Sequence, residues 1–270
     1  MKNYILILLS AIFCISCEDV IDVDLETSDP RLVIEATVNV EENGTVSAIV
    51  KLSETAPFFD NVIPPVTDAI VTITSENGEV FNFPHVGEGV YTSDFIPVLE
   101  TAYTLEVVHN NETYTATESL NTVVPLEDEV EQENDGGFTG EEIELTAFFT
   151  DPQGVDNFYL IEILVDDSQT DEGIEAFSDE FFDGNTIPIF YVNEILEPGV
   201  TVTFNLFGVD EEFFNFMTIL LQQIEDGGGG PFETQPATVR GNMINQTNPN
   251  NFPLGYFRIS EKSTIIYTVQ

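Results

Sequence analysis

Two short stretches of this chain are rich in oxygen ligands. Asp151-Pro152-Gln153-Gly154-Val155-Asp156-Asn157 and Ser178-Asp179-Glu180-Phe181-Phe182-Asp183-Gly184-Asn185 each gather carboxylates and amide oxygens around turn residues. Hard oxygen donors of this kind suit calcium. Asp151, Asp156, Asp179 and Asp183 are therefore the calcium candidates. Neither stretch has the EF-hand spacing, and a solvated acidic turn is the ordinary reading of both.

One cysteine could carry covalent chemistry. Lys2 is followed by the apolar run YILILLSAIF, residues 4–13, and then by Cys17. A basic start and an apolar run of about ten residues make a secretory leader. Such a run is too short to span a bilayer, which takes about twenty residues. Ile15-Ser16-Cys17 resembles a lipobox, so residues 1–16 are expected to be a lipoprotein signal peptide and Cys17 the acylated residue. Each buried methylene of an acyl chain contributes about 0.8 kcal/mol, so several chains hold a soluble body at a membrane. The chain's two cysteines are Cys14 and Cys17, which leaves the mature protein with no free thiol and no disulfide.

Catalytic signals are sparse. His85 and His109 each stand beside a turn signal, far apart in sequence, and no G-x-S-x-G motif is present. No paired histidine spacing suits zinc. Gly227 to Gly230 follow a helical pattern rather than opening one, unlike a phosphate cradle. With 49 acids, a carboxylate pair at glycosidase spacing would carry no information. The chain has no Trp, which lowers the case for a sugar platform, although exposed tyrosines could stack on one. The four FF pairs read as core filling. The chain is read as non-enzymatic, with a hydrolase kept as a third reading.

Charge narrows the partners. Six bases oppose 49 acids, a net charge of −43. A phosphate backbone would be repelled, so nucleic acid is not expected as a partner. Apolar residues make up 42% of the chain, enough for a packed core.

These groups need a scaffold, and its period is two. Leu32, Ile34, Ala36, Val38 and Val40 alternate with polar or smaller residues, and Val46 to Leu52 repeat the pattern after Asn43-Gly44. Asn77-Gly78 and His109-Asn110-Asn111-Glu112 are further hairpin signals. The organisation predicted is a leader at 1–16, an acidic tether at 17–30 and a sandwich at 31–124, immunoglobulin-like or transthyretin-like. The tether would reach about 40 Å if fully extended. An acidic linker at 125–142 follows, then a second β-rich domain at 143–270. Its strand candidates are IELTAFFTD, NFYLIEILVD, TVTFNLFGV, ATVRGNMI, YFRIS and STIIYTV. Asp210 as cap, Glu211 and Glu212 in a first turn, and Phe213, Met217, Leu220, Leu221 and Ile224 at three- and four-residue steps predict one amphipathic helix near 211–225.

Several short motifs add a likeness. Cys17-Glu18, Ile21-Asp22-Val23-Asp24 and Leu32-Val33-Ile34-Glu35-Ala36 open the series. Gly89-Val90-Tyr91 before Ser93, Tyr103 with Leu105, and Tyr114 follow. Phe177-Ser178-Asp179 through Phe182-Asp183-Gly184, Gly241-Asn242 and Leu254-Gly255-Tyr256-Phe257 complete it. In this order they resemble the Bacteroidota outer-membrane lipoprotein family catalogued as domain of unknown function 4249. That family usually has Gly where Ala36 stands. The resemblance implies a surface-exposed lipoprotein, membrane-held by its anchor, beside a TonB-dependent receptor of the SusC-like type. No catalytic residues carry over. A non-enzymatic accessory of such a transporter is the first expectation, with no cofactor apart from the calcium candidates. Helix 211–225 and the loop at 225–233 are the candidate contact surface. The alternative is a free-standing calcium-dependent adhesion or ligand-binding module.

Overall fold

The computed structural model describes residues 29–57, 62–166, 173–225 and 238–270. The leader, Cys17, most of the tether and residues 226–237 lie outside the described residues.

The fold is mainly β, as expected, with one helix among the described residues. Strand β1 (Leu32–Glu41) places Leu32, Ile34, Ala36 and Val38 in the first core, and β2 (Val46–Glu54) adds Ala48, Val50 and Leu52. The predicted Asn-Gly turn joins them, with Gly44 at φ +83°. Strands β3 (Ile70–Ser75), β4 (Val80–Asn82), β5 (His85–Gly87), β6 (Val90–Ser93), β7 (Ala102–His109) and β8 (Glu112–Ser119) complete the N-terminal run. Asn110 and Asn111 both take positive φ between β7 and β8, the conformation a two-residue hairpin demands.

The second run contains β9 (Glu131–Gly136), β10 (Glu142–Thr150), β11 (Phe158–Val165), β12 (Gly173–Ser178), β13 (Thr186–Val192) and β14 (Thr201–Val209). The helix α1 (Glu211–Glu225), the two-residue β15 (Ile244–Asn245) and the 15-residue β16 (Leu254–Thr268) close the chain.

Three sheets result. An eight-stranded sheet runs β12-β11-β14-β16-β1-β2-β6-β5 through both halves of the molecule. A five-stranded sheet, β15-β8-β7-β3-β4, packs on its β1 end around a core that includes Ile34, Ile73, Tyr91 and Leu105. A three-stranded sheet, β13-β10-β9, packs on its β11 end around Leu145, Phe149, Phe204 and Leu206.

Four expectations differ from this arrangement. YFRIS and STIIYTV are one strand: Glu261 and Lys262, which read as a break, mark where β16 changes partner. It pairs parallel with β1 up to Lys262 opposite Glu41 and antiparallel with β14 from Lys262 onward. The C-terminal strand therefore gives Phe257 and Ile259 to the first core, so the second region does not start and stop at 143–270. The acidic linker at 125–142 holds an edge strand, β9, with Leu126 and Val130 buried beneath it. Its acids face water and blunt the exposed edge. ATVRGNMI, where described, is not a strand before Ile244. There Asn242 stands in for a ladder, its Nδ2 donating to the Phe257 carbonyl at 2.8 Å and its Oδ1 accepting from the Phe257 amide at 2.9 Å.

Candidate functional site

Helix α1 covers the outer face of the long sheet, the face turned away from both cores. Its start is built as the sequence predicts. Asp210 Oδ1 accepts from the Phe213 amide at 2.7 Å, and Glu211 and Glu212 occupy the first turn. Phe213 is buried against Leu160, Phe207, Val209 and Tyr256, and its ring meets Tyr256 edge-on at 5.0 Å. Ile224, placed by its spacing on the buried face, is instead exposed.

Between α1 and the sheet runs a groove of about 690 Å³. Its walls include Leu160, Ile174, Phe216, Met217, Leu254 and Tyr256. Arg258 of β16 also lines it, although the residue is only 7% exposed. The guanidinium carbon lies 4.6 Å from the centre of the Phe207 ring and 5.3 Å from that of Phe213. Nη1 has no hydrogen-bond partner. Burial lowers the Arg258 pKa to about 10, with Glu162 acting in the opposite direction, so the group keeps its charge at neutral pH. Among the described residues no carboxylate comes within ion-pair distance of it. Glu162 lines the same groove beyond ion-pair distance and accepts from Asn205 Nδ2 at 2.9 Å. Sequence reading missed Arg258. Its signal was a base at an alternating position of an apolar strand in a chain with six bases.

At the N-terminus of α1, Glu118 of β8 stands beside the capping Asp210. Glu118 Oε1 accepts from Asn242 Nδ2 at 2.6 Å. Burial first, then the charge of Asp210, pushes the Glu118 carboxyl up to about 8. Tyr256 is buried nearby with its hydroxyl unpartnered.

The two oxygen-rich turns meet in space. Asp151 follows β10, Asp179 follows β12 and Asp183 precedes β13. A carboxylate oxygen from each lies within 4.8 Å of the others. Asp151 is held on both sides: Tyr159 Oη donates to its Oδ1 at 2.6 Å and the Gly184 amide to its Oδ2 at 3.0 Å. The Gly154 amide donates to Asp183 Oδ1 at 2.6 Å. Burial, and then Asp151, Asp156 and Asp183, push the Asp179 carboxyl above its ordinary range, against a hydrogen bond with Asn157. Asp156 is exposed and stands outside the close triple.

The remaining candidates separate. His85 is exposed and packs 5.1 Å from the Tyr91 ring. His109 sits between Asp68, at 3.2 Å, and Glu54, at 3.7 Å. No tyrosine platform forms among the described residues: Tyr91, Tyr103, Tyr114, Tyr159, Tyr191 and Tyr256 are buried, and Tyr267 is half-buried. The pair Phe181-Phe182 is not core filling, because both rings are exposed.

A family described as "Domain of unknown function (DUF4249)" matches residues 18–266, and the chain belongs to that family. No curated protein matches the chain. Among solved structures, a two fibronectin type-III domain segment from chicken tenascin is similar at 17% identity, covering 67% of this chain and 91% of that one, with a TM-score of 0.21. The sandwiches described above are defined by this chain's own strand pairing.

Proposed function

We propose that the protein is a non-enzymatic, lipid-anchored lipoprotein of the outer-membrane surface that binds a TonB-dependent, SusC-like transporter through the groove under α1. The observation that carries the binding role is Arg258. A guanidinium buried beside apolar walls is costly to the free protein: Glu162 and the Phe207 and Phe213 rings offset that cost only in part, and Nη1 keeps no hydrogen bond among the described residues. A site that bears such a cost is one whose partner supplies the missing charge. The occupant is accordingly an apolar segment of the transporter that carries one carboxylate.

One further feature supports the membrane attachment. Cys17 follows an apolar leader run and would carry the acyl anchor this reading requires; no described helix is long and apolar enough to cross a membrane. That statement about helices says nothing of strands. The anchor would keep the groove in the plane of the membrane, where a membrane-embedded partner is met at high effective concentration.

Replacing Cys17 tests the anchor. Cys17→Ala moves the protein from the membrane to the soluble fraction, with folding unchanged. Unaltered partitioning of the variant contradicts the lipoprotein reading. A free-standing ligand-binding module is the competing role, and the co-purification described at the end of the Discussion separates the two.

A further inference from the structure

We infer that Asp151, Asp179 and Asp183 form a calcium-binding site, stapling the ends of β10 and β12 to the start of β13. The site does not depend on the transporter or on the groove, and it stands on two separate observations.

The first is convergence. Three carboxylates from turns distant in sequence bring one oxygen each to within 4.8 Å of the others. Like charges so close repel, and either a proton on one of them or a cation between them offsets the repulsion. Among the described residues no base is paired with any of the three.

The second is an orphaned acceptor. Asp179 is 4% exposed, and its Oδ2 has no hydrogen-bond partner. A buried ionised carboxylate oxygen with no donor is among the most costly groups a fold can hold. Asn157 adds a second one: its carbonyl accepts from the Asp179 amide at 3.2 Å, and its own Oδ1 is buried without a partner. Both orphans are acceptors, the kind of atom a hard cation binds.

The donor set selects the ion. It is oxygen throughout, with no histidine or cysteine, which disfavours zinc and copper. Magnesium demands a near-ideal octahedron and gives up its water reluctantly, whereas calcium accepts irregular carboxylate sets. The Asp151 carboxylate is already oriented by Tyr159 and Gly184, and Asp183 by Gly154, as a supporting shell orients ligands elsewhere. The chain's net charge of −43 raises the cation concentration at its surface, so binding at this cluster has to be told apart from diffuse attraction.

Terbium reports on that difference. It substitutes for calcium at oxygen sites and luminesces when a neighbouring tyrosine is excited, and Tyr159 donates directly to Asp151. The full chain is titrated with terbium alone, then with calcium as competitor. Four proteins are compared: the unmodified chain, Asp179→Asn, Asp183→Asn, and Glu133→Gln. Glu133 is an exposed acid on β9, so its replacement removes the same charge elsewhere.

The unmodified protein and Glu133→Gln should show a saturable signal that calcium displaces. Asp179→Asn and Asp183→Asn should bind more weakly by about tenfold or more, as expected when ligand charge is removed. Calcium should raise the melting temperature of the unmodified protein beyond the effect of sodium chloride at equal ionic strength, and should lose that advantage in both aspartate variants. Asp183 is exposed, so its variant retains a folded protein should Asp179→Asn not fold. Equal binding by all four proteins, or an equal loss in Glu133→Gln, would overturn the site and leave diffuse attraction in its place.

Discussion

Ile34 on the first strand and Gly255 on the last are register partners in a parallel ladder, and a Cβ on Gly255 would run into the Ile34 carbonyl. Gly255 also holds φ +92°, a conformation that side chains disfavour. Glycine is thus required twice at the seam that joins the two ends of the chain. Gly255→Ala should cost about 3 kcal/mol from strain and overpacking together. Urea unfolding of the variant checks the figure, and a cost under about 1 kcal/mol would mean that the seam gives way readily.

The same seam forbids a simple cut between the two sandwiches. Phe257 and Ile259 fill the first core from β16, and Met243 lies in it as well. A fragment ending at residue 124 loses all three and exposes the β1 edge, so it should remain unfolded by near-ultraviolet circular dichroism. A fragment of that length with a cooperative unfolding transition would show that the first sandwich is self-sufficient.

Stability should vary with pH through Glu118. Its carboxyl is raised from an ordinary 4.5 to about 8 by burial and by Asp210. The folded state therefore holds a proton there that the unfolded state has released. Between those two values stability falls as pH rises, and above the upper one this contribution is flat. Glu118→Gln mimics the protonated form and keeps an oxygen for Asn242. Its melting temperature should exceed that of the unmodified protein by a few degrees at pH 8, with the gap closing toward pH 5. One kcal/mol corresponds to about 2–4 °C at this size. A gap that is constant across that range would remove Glu118 from the account.

Arg258 should prove a liability to the fold. Replacing buried ionic groups by well-packed apolar side chains of similar volume is often neutral or stabilising by about 1–4 kcal/mol. Arg258→Met should raise the denaturant midpoint without changing the slope. A loss of stability would show that the contacts with Phe207 and Phe213 outweigh the buried charge.

Much of the scaffold was legible because its signals are local. Alternation placed β1 and β2, Asn43-Gly44 and Asn110-Asn111 placed their turns, and Asp210 with its following acids placed the start of α1. The oxygen-rich turns were visible as composition. Their meeting was not, because it depends on how β10, β12 and β13 are arranged in different sheets. β9 escaped notice because an edge strand needs few apolar anchors, and its acids resembled a linker. The continuity of β16 was hidden by Glu261 and Lys262. These charges are tolerated because Lys262 pairs with Glu41 at 3.2 Å and Glu261 accepts from the Val123 amide at 3.1 Å. Gly241-Asn242 and Leu254-Gly255-Tyr256-Phe257, motifs of the family likeness, lie at one place. Gly241 abuts the Gly255 carbonyl, and Asn242 clamps Phe257.

The proposed function has the protein bind a membrane transporter through the groove under α1. Its most direct test is purification of the protein from outer membranes in mild detergent at native expression, with crosslinking and mass spectrometry, for the unmodified protein and Arg258→Met side by side. The account predicts a TonB-dependent receptor with the unmodified protein and loss of that receptor with the folded, membrane-anchored variant. Recovery of the protein alone, or equal recovery of the receptor with Arg258→Met, would contradict it.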